Sequence, residues 1–298
     1  MNLKDVIENI FSVKNVGNSK QVCVLGAKIR FIRMRKIEEQ INKILNLVSH
    51  DWIEGAYPPQ TIYEQVRHIV MCNTLHQKAF DDKRFRYYGK DVYVCATGPT
   101  FDYYAPSPDA IHIGVNYAYK SEKIFFNDLF CIDGGVVDFR LPREFITYGG
   151  LKTNKFISFL MGYSLDIDPS DYKIYHFFTE NRINYPINCM GLPDFYSVIF
   201  SAFAYALWTT PKRIFIVGAD CSSGHANSLD VKYSSSLSHL VKYWHEMKKF
   251  ADFYYPGIEI ISVNPVGLKG LFKDVYTKEY IKANPELFKN AENITILE

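Results

Sequence analysis

The chain has 298 residues, of which 48% are hydrophobic and 22% are charged, a composition typical of a folded globular protein and not of a disordered one. Its net charge of +2 argues against a dedicated nucleic-acid binder, because such proteins concentrate positive charge. No run reaches the roughly 20 apolar residues that span a bilayer, and the first residues lack the apolar core of a signal peptide. We therefore expect a soluble or peripheral protein.

The cysteines carry no sign of a metal or redox motif, because no two of them have C-x-x-C spacing. Most lie in apolar strand or helix contexts, where free thiols in a reducing cytoplasm are the expected state. The set comprises Cys23, Cys72, Cys95, Cys131, Cys189 and Cys221.

Residues 1–88 predict a basic, mostly helical N-terminal region. A weak helix opens it, a small hairpin centred on Leu25-Gly26-Ala27 follows, and apolar residues at helical spacing predict a helix over 36–48. A further helix follows the Pro58-Pro59 break. In residues 1–90, Lys and Arg outnumber Asp and Glu by 15 to 9, whereas acidic residues outnumber basic ones by 23 to 19 in the remainder.

Five basic residues without an acidic residue among them follow the turn of the hairpin. One interpretation is a solvated strand face. The other is a surface that binds anionic lipid, where each basic residue contributes about 1 kcal/mol to the binding free energy. The run consists of Lys28, Arg30, Arg33, Arg35 and Lys36.

From residue 89 to 298 the pattern alternates between short apolar strands and helices. A helix over 193–208 is apolar on every side and is expected to be buried, and another is predicted over 236–254. This alternation predicts an α/β domain with a Rossmann-like, doubly wound, mainly parallel sheet. The predicted strands are 91–96, 111–115, 125–132, 173–178, 214–217 and 258–263.

Five of these strands end in polar or glycine-containing segments. In a parallel sheet such ends share one edge, where ligands bind at the point at which the strand order reverses. Polar strand ends are also ordinary helix caps, so each one alone is ambiguous, and together they favour a site. The five are Thr97-Gly98-Pro99-Thr100, Asn116, Asp133-Gly134-Gly135, Gly218-Ala219-Asp220 and Asn264-Pro265.

Several familiar motifs are missing. The sequence contains no G-x-G-x-x-G, no P-loop and no G-x-S-x-G, which disfavours a standard dehydrogenase, a P-loop kinase and an α/β-hydrolase. Asp166-Ile167-Asp168 is either a surface turn in a Pro/Ser/Asp-rich loop or a D-x-D metal ligand pair. The histidines lack partners at zinc spacing, and we predict no metal and no cofactor.

Two histidines are candidates for a general base. His225 lies in the hydroxyl-rich loop after Asp220, and His239 begins the helix that follows. A neutral imidazole suits removal of a proton from a sugar hydroxyl. A surface or helix-capping histidine is the alternative for each.

The order of these segments resembles the bacterial family 42 sialyltransferases and the related motility-associated glycosyltransferase domains. The resemblance covers roughly residues 91–270 and is most specific at Gly98-Pro99-Thr100 and Gly218-Ala219-Asp220. Residues 21–33 are similar to a segment of surface-polysaccharide glycosyltransferases of Gram-negative mucosal bacteria. The resemblance implies one Rossmann-like nucleotide-binding domain with a lid, and inverting, metal-independent transfer from CMP-sialic acid with a histidine base.

The resemblance also implies roles for individual residues. Thr97, Gly98, Pro99 and Thr100 would hold the nucleotide, Asn116 and Asp133 would contact the donor, and Gly218, Asp220 and Ser222 would lie beside the cytidine and phosphate. His239 matches the catalytic position, with His225 as the other candidate. Ser222 and Asn227 stand where the family has two tyrosines, Ser223 supplies a further hydroxyl, and Arg182 matches a lid arginine.

We therefore predict a glycosyltransferase that moves sialic acid or a related acid sugar from a CMP donor onto a bacterial surface glycan, in lipopolysaccharide or capsule synthesis. Its expected location is the cytoplasm, including the inner face of the cytoplasmic membrane. Two alternatives stay open: a pterin-type pyrophosphokinase that uses ATP and Mg²⁺, and a non-catalytic nucleotide-sugar-binding subunit. Nucleic acid is not an expected partner, and self-association is left open.

Overall fold

The chain divides into two compact units, Met1–Val70 and Met71–Glu298. The structure, a computed structural model, describes only parts of each. The described residues are 11–16, 19–24, 27–32, 76–131, 143–158, 173–175, 177–178, 183, 187, 191–229, 231, 237–289, 291 and 293–297.

The first unit contains a three-stranded antiparallel sheet in the order β1-β2-β3, built from β1 (Phe11–Val16), β2 (Ser19–Val24) and β3 (Ala27–Ile32). Val24 pairs with Ala27, so the connection lies where the sequence suggests a hairpin. Lys28 and Arg30 of the basic run lie in β3. The remaining basic residues Arg33, Arg35 and Lys36 lie outside the described residues, as do the helices predicted for this region.

The second unit is organised around an eight-stranded sheet in which every pair of neighbours is parallel, with the order β13-β12-β11-β4-β5-β6-β7-β8. This confirms the predicted Rossmann-like α/β class. The strands are β4 (Asp91–Cys95), β5 (Ile111–Val115), β6 (Asp128–Cys131), β7 (Asn154–Ser158), β8 (Lys173–Tyr175), β11 (Arg213–Val217), β12 (Glu259–Val263) and β13 (Lys273–Val275).

Several predicted boundaries are wrong. The strand predicted over 125–132 begins at Asp128, and the helix predicted over 236–254 begins at Val241. Residues 173–178 do not form one strand, because β9 (Phe177–Phe178) leaves the large sheet and pairs with β10 (Leu192–Pro193). The aromatic-rich run 173–178 carried no signal of this change of partner. The helix predicted from residue 193 begins at Val198, since Phe195 and Tyr196 have φ values of 44° and 65° that interrupt a helix.

Residues just before the predicted boundary at position 88 pack into the second unit. Phe80 is fully buried and Tyr87 nearly so, both in the cluster that covers one face of the sheet.

Residues 76–80 are helical. The helices whose two ends are described are α1 (Arg143–Thr147), α2 (Val198–Trp208), α3 (Val241–Tyr254) and α4 (Lys278–Ala283).

Strand side chains alternate between two hydrophobic clusters, one on each face of the sheet. Val92 and Val94 of β4 belong to the cluster that contains α2 and α3. Tyr93 and Cys95 of the same strand belong to the cluster on the other face. All residues of α2 are buried, as its uniformly apolar sequence predicts. Among the described residues, no helix is both long enough and apolar enough to cross a membrane.

The strand order reverses next to β4. The chain adds β5, β6, β7 and β8 outward on one side of β4, and then returns to place β11, β12 and β13 on the other side. In an open parallel sheet, the carboxyl ends of the two strands at such a reversal flank a crevice that binds ligands. The fold therefore directs attention to the segments after β4 and β11.

A buried carboxyl at the amino-terminal ends of the strands, opposite the candidate crevice, has a structural role. Asp128, the first residue of β6, is fully buried and accepts hydrogen bonds from the hydroxyls of Tyr87 (2.6 Å) and Tyr205 (3.2 Å) and from Nδ2 of Asn154 (2.7 Å). Burial raises the pKa of this carboxyl, and the three donors work against that rise. The cluster anchors the segment before β4 to β6 and α2.

We expect Tyr87→Phe to lower the free energy of unfolding by about 1–2 kcal/mol, because Asp128 loses its shortest hydrogen bond inside the core. Urea denaturation measures the change. Tyr88→Phe is the matched control, since Tyr88 is 76% exposed and its substitution is expected to change stability by less than about 0.5 kcal/mol. Equal effects of the two substitutions would contradict a structural role for the Asp128 cluster.

Candidate functional site

The segments that follow β4 and β11 continue to pair beyond the strands. The Ala96 amide donates to the Val217 carbonyl, and the Gly98 amide donates to the Gly218 carbonyl, both at 2.8 Å. A Cβ added to Gly98 would lie 2.5 Å from the Gly218 carbonyl oxygen, and Gly218 itself has φ +66°. Glycine is therefore required at both positions for the two turns to approach each other.

Asp220 locks the two turns together. Its carboxylate is 4% exposed and accepts hydrogen bonds from the Thr100 amide at 2.7 Å and from the Thr100 hydroxyl. Burial raises the pKa of Asp220, whereas the bonds from Thr100 lower it. The carboxylate and the amides of Gly98 and Thr100 are thus engaged within the protein, and Pro99 has no amide to offer.

Thr97 and His225 are brought together across 128 residues of sequence. Thr97 Oγ1 lies 2.9 Å from Nδ1 of His225, and the Ala226 amide donates to the Thr97 carbonyl at 2.8 Å. The ring is half-buried. Burial lowers the pKa of His225 below its ordinary value, and a hydrogen bond to the Thr97 backbone opposes that shift. The imidazole is therefore neutral at pH 7 in the free protein.

Asp102, which sequence reasoning missed, fixes the rest of the histidine loop. Its carboxylate accepts hydrogen bonds from the amides of Asn227 (2.8 Å) and Ser228 (3.4 Å) and from the Ser228 hydroxyl. Asn227 is exposed and contributes its backbone to this contact. An aspartate two residues beyond a turn has many uses, so no signal in the sequence singled out Asp102.

Two asparagines at strand ends have different surroundings. Asn116 (φ 45°) and Asn264 (φ 50°) both adopt the left-handed conformation that asparagine tolerates well. Asn264 Oδ1 accepts from the Thr277 amide at 2.8 Å and its Nδ2 lies 3.0 Å from Thr277 Oγ1. Oδ1 of Asn116 is buried and has no hydrogen-bond partner among the residues that the structure describes. The turn that contains it, 116–120, contacts residues 227–229. The unpaired acceptor points to a ligand at Asn116, whereas Asn264 is structural.

The other candidate base, His239, lies just beyond the loop that follows β11. His239 is exposed in a single 3-10 turn, Ser238–Leu240, that leads into α3. The Leu237 amide donates to the Ser222 carbonyl at 3.4 Å, which ties this turn to the loop after β11. Ser222 is half-buried and Ser223 is exposed. The other predicted site residues, Asp133 and Arg182, lie outside the described residues, as does the pair Asp166 and Asp168.

Cys95, Cys131 and Cys221 are buried and lie outside any disulfide. Burial together with the charge of Asp220 raises the pKa of Cys221 to about 12, which disfavours a reactive thiolate. Within the described ranges, no group of three or more His, Cys, Asp or Glu side chains is arranged to hold a metal ion.

One solved structure similar to this chain is that of the sialyltransferase CstII from Campylobacter jejuni in complex with a substrate analogue, CMP-3FNeuAc. The match has a TM-score of 0.35 and 16% sequence identity, and it covers 58% of this chain and 80% of that chain. Neither a protein-family model nor a curated protein matches the chain. A likeness at this identity and TM-score assigns no role to any residue.

Proposed function

We propose that the protein is a glycosyltransferase that binds a nucleotide-sugar, with a CMP donor of sialic acid or a related acid sugar favoured. Support comes chiefly from the reversal of strand order between β4 and β11, which puts Thr97 and His225 side by side at the carboxyl edge. Nucleotides bind at this position in doubly wound sheets. The order of the strand-end segments, with its resemblance to family 42 sialyltransferases, favours sugar transfer over other nucleotide chemistry.

The donor site that we propose is formed by side chains whose polar atoms are not used up in joining the two turns. Asn116 offers its unpaired Oδ1, and Thr97, Ser222 and His225 face the donor from the turns after β4 and β11. Thr100 and Asp220 serve the site indirectly, because their mutual hydrogen bonds hold those turns in place. Gly98 and Gly218 permit the close approach.

For the transfer itself we propose His239 as the general base, with His225 as the other candidate. The base takes the proton of the acceptor hydroxyl as its oxygen attacks the anomeric carbon, and the bond from that carbon to the phosphate oxygen breaks with inversion. Hydroxyls of Ser222 and Ser223 stabilise charge on the departing phosphate. This mechanism is metal-independent. Arg182, Asp133 and Asn227 are further proposed donor or lid contacts.

A thermal-shift panel with CMP, CDP, UDP, GDP and ATP, each with and without Mg²⁺, tests the proposed function. A nucleotide at 100 times its Kd adds about 2.7 kcal/mol of stability, which is readily measured. We expect CMP or CDP to stabilise the protein without Mg²⁺. Stabilisation by UDP or GDP alone would keep the transferase with another donor. Stabilisation by ATP only with Mg²⁺ would indicate a pterin-type pyrophosphokinase. No response to any nucleotide would contradict the proposed nucleotide-sugar site and favour a non-catalytic scaffold.

For the cellular context we propose a bacterial surface glycan as acceptor, in lipopolysaccharide or capsule synthesis, and a peripheral position on the inner face of the cytoplasmic membrane. The basic run Lys28, Arg30, Arg33, Arg35 and Lys36 would contact anionic lipid there. Co-sedimentation with phosphatidylserine vesicles that weakens as salt rises tests the membrane contact, and salt-independent or absent binding would contradict it.

A further inference from the structure

We propose that His225 binds the phosphate of the nucleotide and takes up a proton as it does so, and that Thr97 is the residue that positions it. This role rests on the proposed nucleotide-sugar site and states which side chain meets the phosphate there. It differs from the role of a base, because an imidazole that carries two protons donates hydrogen bonds and cannot accept a proton from a sugar hydroxyl.

The geometry assigns different tasks to the two ring nitrogens of His225. Nδ1 lies 2.9 Å from Thr97 Oγ1, and the neighbouring amide of Ala226 binds the Thr97 carbonyl at 2.8 Å. The Nδ1 edge of the ring is therefore fixed against the turn after β4. In the part of the chain that the structure describes, Nε2 has no hydrogen-bond partner. The Nε2 edge is left for a ligand.

Backbone hydrogen bonds of the three residues after His225 hold the loop in position before any ligand binds. The Ala226 amide donates to the Thr97 carbonyl at 2.8 Å. Asp102 accepts hydrogen bonds from the amides of Asn227 and Ser228. A ring that is already placed loses little freedom when it binds an anion, so more of the interaction contributes to affinity.

The surrounding charges leave His225 responsive to a bound anion. The titratable groups on the packed elements are of two kinds. Asp102 is held by backbone amides and Asp220 by Thr100. The others are Tyr103 on the 99–103 turn and Tyr117, Tyr119 and Lys120 on the 116–120 turn. No ion pair to the ring is seen among the described residues. Burial lowers the pKa of His225 in the free protein, and a phosphate at Nε2 favours the charged ring. Binding a phosphate therefore raises the pKa of the ring and draws in a proton.

Titration calorimetry with CMP and with cytidine, on the full chain, tests this assignment. His225→Asn keeps a polar group at the Nδ1 position but ends before Nε2. We expect it to lower CMP affinity about 10-fold or more, the effect of losing a hydrogen bond to a charged group, and to leave cytidine affinity unchanged. Thr97→Val is expected to lower CMP affinity by a smaller factor, and Thr97→Ser, which restores the hydroxyl, is expected to bind CMP as the wild type does.

Proton uptake separates this role from a merely structural one. Calorimetry in buffers of different ionisation enthalpy should show a proton taken up by the wild type as CMP binds, and none attributable to the ring in His225→Asn or His225→Gln. The ratio of wild-type to His225→Asn affinity should rise as the pH falls from about 7.5 to about 5.5, because a bound phosphate favours the charged form of the ring. Taking this ratio cancels the ionisation of CMP itself.

Each outcome decides between the claims. Suppose that every variant prefers CMP over cytidine as strongly as the wild type does and takes up the same number of protons. Then His225 does not contact the phosphate, and the proposed transferase function is unaffected. If the wild type binds no nucleotide of the panel, both proposals are wrong. Loss of phosphate preference in His225→Asn together with loss of proton uptake in His225→Gln supports the assignment, and circular dichroism verifies that both variants are folded.

Discussion

Replacing His239 with alanine is expected to lower the turnover of the nucleotide-sugar donor about 10²–10⁴-fold, the usual contribution of general base catalysis. His239 is exposed at the entry to α3, so its removal leaves the core intact. Nucleotide affinity should stay close to that of the wild type, because the donor site that we propose consists of Thr97, Asn116 and the loop after β11. Turnover is measured as nucleotide release from CMP-sialic acid, or from the sugar of whichever nucleotide stabilises the protein most.

His245→Ala provides the matched control, since His245 is also exposed and lies on α3 itself. This variant should retain turnover within about 2-fold of the wild type, as expected of a surface substitution away from a site. Wild-type turnover in His239→Ala would remove His239 as the base. A large loss of turnover at saturating donor in His225→Ala, with CMP affinity unchanged, would then transfer that role to His225 and would contradict phosphate binding by its ring.

Replacing Asp220 with alanine is expected to lower the free energy of unfolding by about 3 kcal/mol or more. The substitution leaves the buried amide and hydroxyl of Thr100 without their acceptor, and each such loss costs about 1–3 kcal/mol. The turns after β4 and β11 also lose the link between them. We therefore expect CMP affinity to fall together with stability in this variant, as measured by urea denaturation and calorimetry.

Asp220→Asn distinguishes the effect of losing the hydrogen bonds of Asp220 from the effect of losing its charge. An asparagine oxygen can accept from the Thr100 amide while its nitrogen donates to the Thr100 hydroxyl, so this variant should cost only about 1 kcal/mol. A direct role of the Asp220 carboxylate in ligand binding predicts a different result, namely a large loss of affinity in Asp220→Asn with stability preserved. That result would contradict the structural assignment of Asp220.

Much of the architecture could be predicted from the sequence because it follows from local patterns. Short apolar runs such as Ile214–Val217 read as buried parallel strands, and the glycine and polar residues that end them are visible without any coordinates. The parallel sheet predicts that these ends share one edge. The sequence therefore predicted the region of the candidate site. It did not show that residues 173–178 are divided between two strands in different sheets.

Only the tertiary structure shows which strand-end side chains are bound to other parts of the protein. Thr100 and Asp220 look like ligand contacts in the sequence, yet they bind each other across 120 residues. Asn116 and Asn264 have the same chemistry and backbone conformation, but among the described residues Oδ1 of Asn264 has a hydrogen-bond partner and Oδ1 of Asn116 has none. Such pairings depend on distances between segments far apart in the chain, and local propensity contains no information about them.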